Sequence, residues 1–135
     1  MKLRRTIILG AALVAGAGCG RDSTAPTQVS TVRGAVVSLR TPNADDGAVV
    51  ITLRGPDLTG VQAASGSYLV YSRPTGAGEL RVIVMGDLTV GPVLRLTFAG
   101  PQSLTTYSAF IEQVATRSDA LRDGLAGYEV KVTGS

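Results

Sequence analysis

The chain has 135 residues with a formal charge of +3, no histidine, no tryptophan and one cysteine. The missing histidine excludes Ser-His-Asp and Cys-His nucleophilic sites and the usual imidazole zinc sites. A single cysteine forms no internal disulfide. Three of the thirteen basic residues are Lys2, Arg4 and Arg5, so ten basic residues face ten acidic ones from Cys19 onward. That balance leaves no basic footprint for nucleic acid.

In chain order, a basic start (Met1-Lys2-Leu3-Arg4-Arg5) precedes an apolar run over residues 6–14 and the small residues Ala15-Gly16-Ala17-Gly18. The apolar run falls short of the roughly 20 residues that span a bilayer, and the order basic, apolar, small is that of an export signal. Residues 1–18 are therefore read as a signal peptide. Residues 19–28 form a polar tether too poor in apolar side chains to fold, and residues 29–135 form one domain.

Gly16-Ala17-Gly18-Cys19 resembles the lipobox of bacterial lipoproteins, with Gly16 where that family usually has an aliphatic residue. The resemblance implies lipidation of Cys19 and a membrane-anchored place in the cell envelope. Gly20, rather than an aspartate, follows the cysteine, which favours the outer membrane. The alternative is an ordinary secretory signal cut after Ala17, with Ala15-Gly16-Ala17 as its A-x-A site. The product would be a secreted or periplasmic protein with a free thiol.

Past the tether the chain reads as short strands. Val49, Ile51 and Leu53 alternate with Val50, Thr52 and Arg54. Leu94, Leu96 and Phe98 alternate with Arg95 and Thr97, and Tyr128, Val130 and Val132 with Glu129 and Lys131. This is the two-residue period of a half-buried strand. Further strands are expected over 32–39, 67–72 and 80–85, and over 107–116 with a loop or one helical turn after it, capped by Ser118-Asp119. Pro42-Asn43, Asp45-Asp46-Gly47, Gly55-Pro56-Asp57, Arg73-Pro74-Thr75-Gly76, Gly91-Pro92 and Gly100-Pro101 read as turns. Such spacing predicts an all-β fold, a single antiparallel β-sandwich of jelly-roll or Ig-like type.

Three of these pieces resemble the sandwich of cohesins and related carbohydrate-binding modules. They are residues 47–53 running into Gly55-Pro56-Asp57-Leu58, residues 79–86, and residues 93–98 ending in an aromatic. The resemblance implies a jelly-roll fold and a binding role. It carries no partner-contact residue across.

No catalytic set emerges. The sole lysine beyond the leader, Lys131, alternates outward, and paired carboxylates (Asp45 with Asp46, Asp57, Asp87, Asp119 with Asp123) serve a glycosidase only across a cleft. No cofactor is expected, and calcium is the one metal the Asp-Gly turns at Asp45-Asp46-Gly47 and Asp123-Gly124 would suit. Plain turn chemistry is the favoured explanation of those turns. Sugar binding would need exposed rings, and Tyr68 and Tyr71 point to opposite faces of a strand. The expected function is non-enzymatic: a lipid-anchored envelope protein whose sandwich takes part in protein–protein or envelope interactions. A surface carbohydrate-binding module with a polysaccharide ligand is the alternative, followed by a small carboxylate-dependent hydrolase.

Overall fold

The computed structural model describes residues 31–135. Cys19, the leader and the tether lie outside the described residues. Eight strands follow one another: β1 (Thr31–Arg40), β2 (Asp46–Arg54), β3 (Leu58–Ala63), β4 (Leu69–Gly76), β5 (Glu79–Met85), β6 (Gly91–Ser103), β7 (Ser108–Thr116) and β8 (Glu129–Gly134). They form two antiparallel four-stranded sheets, the first in the order β3-β6-β1-β8 and the second in the order β4-β5-β2-β7. The fold is an all-β sandwich. Among the described residues no helix is long and apolar enough to cross a membrane.

Alternation sets which face each strand buries. Ala35, Val37 and Leu39 of β1 and Val93, Leu94, Leu96 and Phe98 of β6 face Val49, Ile51 and Leu53 of β2 and Val82 and Val84 of β5. These β-branched and aliphatic side chains fill the space between the two inner faces. Leu88, on the β5–β6 connection, is fully buried, and its N–H donates to the Asp46 carbonyl at 3.1 Å. Tyr107 stacks on Phe98 with ring centroids 4.3 Å apart, and its hydroxyl donates to the Pro56 carbonyl.

The expected strands all form. The strand expected over 107–116 is β7, and a loop follows it, in which Leu121 bridges back to Ala115. The short 3-10 turn precedes β7, at Leu104–Thr106, rather than following it. Asp119 has φ 63°, a tight-turn conformation incompatible with a helix starting at Ser118-Asp119.

Three differences have physical causes. β3 is an added strand that no pattern announced, because Gly60 interrupts it and none of its residues is buried. Pro74 lies inside β4 rather than in a turn, tolerated because β4 pairs on one side only. Gly100-Pro101 does not end β6 but marks a bulge: Gly34 pairs with Thr97 and Val32 with Gln102, so two steps along β1 span five along β6.

Candidate interaction face

The two outer faces of the sandwich differ. On the first sheet, Arg40 stands opposite Glu129, Ser38 opposite Lys131, Val36 opposite Thr133 and Arg95, and Arg95 opposite Gln62. That face is polar and carries both signs of charge. A depression of about 310 Å³ at its rim, lined by Ser38, Arg40, Val90, Glu129 and Lys131, is walled mostly by apolar atoms, with Val90 exposed, and holds no aromatic ring.

On the second sheet, Val82 and Val84 turn inward, which sends Arg81, Ile83 and Met85 out. Cross-strand register then places Leu69 against Met85 and Tyr71 against Ile83, with Ala48 and Val50 on the far side of β5. Leu69 is 59% exposed, Tyr71 60% and Ile83 38%. One end of this face is thus a contiguous apolar patch. Tyr68, just before β4, packs half-buried against the core, while Tyr71 on β4 stands out.

The other end of the same face is charged and largely internally paired. Thr52 donates its hydroxyl to Glu112, and Arg81 reaches the same carboxylate at 2.8 Å. The Thr52 hydroxyl, helped by Arg81, holds Glu112 below the usual carboxylate range against the opposing cost of burial. Arg54 pairs with Glu79 at 2.6 Å and lies 5.7 Å from the centre of the Phe110 ring. Thr52 is buried, so Thr52→Val is expected to cost about 1 kcal/mol by removing that hydroxyl. Urea denaturation measures it.

The acids singled out from the sequence are placed apart. Asp45 and Asp46 converge on Arg122, whose Nη2 lies 2.8 Å from Asp46 Oδ1. Asp46 is fully buried and also accepts from the Thr41 hydroxyl, and the Tyr128 hydroxyl lies 2.9 Å from its Oδ1 and 2.8 Å from its Oδ2. Asp87 pairs with Arg117, and Asp57 accepts from Gln102. Asp119 and Asp123 are exposed on the β7–β8 loop. A guanidinium therefore occupies the cation position at the Asp45-Asp46-Gly47 turn. Among the described residues no three acidic or cysteine side chains gather into a metal site.

Sequence reasoning missed the Asp46–Arg122–Tyr128 cluster and the sidedness of the second sheet. The run over 80–85 is apolar at nearly every position, so its alternation did not reveal which residues face out. No protein-family model, curated protein or solved structure matches the chain.

Proposed function

We propose that this chain is a non-enzymatic cell-envelope protein, anchored through lipid on Cys19, whose sandwich binds a protein partner through the outer face of its second sheet. The carrying observation is the asymmetry of the two faces. Leu69, Tyr71 and Ile83 are exposed together on one, while the other is polar and mixed in charge. A contiguous exposed apolar patch rimmed by polar groups is the mark of an interaction site. The fold does not explain it, because these side chains add nothing to the core. A sugar platform fits less well: Tyr71 and Phe110 lie on the two edge strands, about 14 Å apart at ordinary strand spacing. The carboxylates at Asp45, Asp46, Asp57, Asp87, Glu79 and Glu112 are already engaged by cationic or amide partners, which supports a non-catalytic role.

Ile83→Lys tests the face. It places a charge in the middle of the patch and is expected to change stability by under about 1 kcal/mol, since the side chain is part-exposed. In cross-linked envelope preparations, the variant is expected to lose the partner recovered with the wild type. Equal recovery sinks the assignment. Mass spectrometry of the mature N-terminus is expected to find diacylglyceryl-Cys19, and an unmodified terminus at Gly18 would overturn the anchor.

A further inference from the structure

The charges beside the apolar patch do not balance. Arg54, Arg73 and Arg81 stand on the outer side of β2, β4 and β5, against the two carboxylates Glu79 and Glu112. Glu79 is committed to Arg54 and to the Thr75 hydroxyl, and Glu112 to Arg81 and Thr52. Arg73 forms no ion pair among the described residues, yet register sets it directly opposite Arg81. Like charges directly opposite on neighbouring strands repel, so an anion arriving between them gains from both. Arg81 also carries a buried Nε with no acceptor among the described residues. Tyr71, Ser72, Arg73, Arg81 and Ile83 line a groove of about 180 Å³ at this point.

The strand carrying Arg73 has an open side. Among the described residues β4 pairs with β5 alone. The other edge of the sheet, β7, is partly covered by its own following loop: Arg122 N–H donates to the Val114 carbonyl and Thr116 N–H to the Ala120 carbonyl. Along β4, the residues on the outer face are Leu69, Tyr71 and Arg73, in the period of two, and Pro74 follows at once. An unpaired edge offers main-chain groups to an added strand, and the side chains beside it set the sequence that fits.

Resting on the docking face described above, we propose that β4 takes up an extended segment of a partner protein. That segment places apolar side chains along Leu69 and Tyr71 and a carboxylate side chain on Arg73 and Arg81. The occupant is thus an acidic-apolar strand. The recognition is by charge complementarity at one position and by apolar contact at the others.

Selection of a random linear peptide library on the immobilised full chain tests this. The wild type is expected to enrich peptides with Asp or Glu at a fixed two-residue spacing from apolar residues. Arg73→Glu, which pairs favourably with Arg81 and so keeps the fold, is expected to weaken those peptides about tenfold or more. Selection on that variant is expected to favour Lys or Arg at the same position. Apolar peptides without an acidic preference, bound equally by Arg73→Glu but lost with Ile83→Lys, overturn the carboxylate subsite and leave the face standing. In that event Arg73 only guards the edge against aggregation. No enrichment, enriched peptides indifferent to Ile83→Lys, or self-association in place of peptide binding overturns both.

Discussion

Asp46→Ala is expected to destabilise the domain by about 3–5 kcal/mol, the range found when one partner of a buried ion pair is removed. Asp46 opens β2, and its fully buried carboxylate gathers Thr41 from the β1–β2 connection with Arg122 and Tyr128 from the segment between β7 and β8. Among the described residues, removing it leaves the Arg122 guanidinium beside Asp45 alone and the Tyr128 hydroxyl with only Asn43 Nδ2, 2.7 Å away. Two distant loops lose their tie to the sandwich together. For a domain of this size the loss corresponds to a fall in Tm of roughly 15 °C or more. Thermal unfolding followed by circular dichroism measures it directly.

The same carboxylate gives stability an acid limb. Burial pushes the Asp46 pKa up, but the hydrogen bonds from Thr41, Arg122 and Tyr128 outweigh it and hold the group below its ordinary 3.8. A carboxyl with a depressed folded-state pKa contributes fully above its unfolded value and loses that contribution as pH falls through the folded one. The stability gap between wild type and Asp46→Asn is therefore expected to be constant near neutrality and to shrink below about pH 4. A gap independent of pH down to pH 2 would show that the charged form of Asp46 is not what binds the two loops.

Gly55→Ala is expected to cost about 3 kcal/mol, at the upper end of what overpacking a well-filled site does. A Cβ at this position would stand 2.9 Å from Tyr107 Cγ and nearer still to the ring edge. The ring cannot step aside cheaply. It stacks on Phe98 on one side, and its hydroxyl is fixed to the Pro56 carbonyl. Displacing it opens the end of the core between β2 and β7. A Tyr107→Ala background relieves the clash, so the Gly55→Ala penalty should nearly vanish there, while Tyr107→Ala carries its own cavity cost. Chemical denaturation of the four proteins in this cycle checks both statements.

Much of the sandwich was legible because its inner strands keep period two where burial is one-sided. Val49, Ile51 and Leu53 and then Leu94, Leu96 and Phe98 alternate in the sequence, and all six are buried. Edges and bulges escaped the same reading. Pro74 and Gly100-Pro101 are turn formers by local chemistry, and only pairing on one side or a widened register keeps them within strands. Asp46 looked like turn chemistry or an oxygen ligand because two of its partners, Arg122 and Tyr128, lie 76 and 82 residues away, beyond any local pattern. The exposed patch was hidden for a related reason. Tyr71 was placed on the opposite face from Tyr68, but only β4–β5 register brings it against Ile83.

That register gathers exposed apolar residues, unremarkable one by one, into the proposed docking face, which site-specific photo-crosslinking in intact cells tests. A photoreactive amino acid replaces Tyr71 on the second sheet or, in a matched protein, Thr133 on the outer face of the first. Position 71 is expected to give a discrete protein adduct that disappears with Ile83→Lys, and position 133 none. Adducts of equal yield from both positions, or an adduct at 71 that survives Ile83→Lys, would contradict the assignment of the second sheet as the docking face.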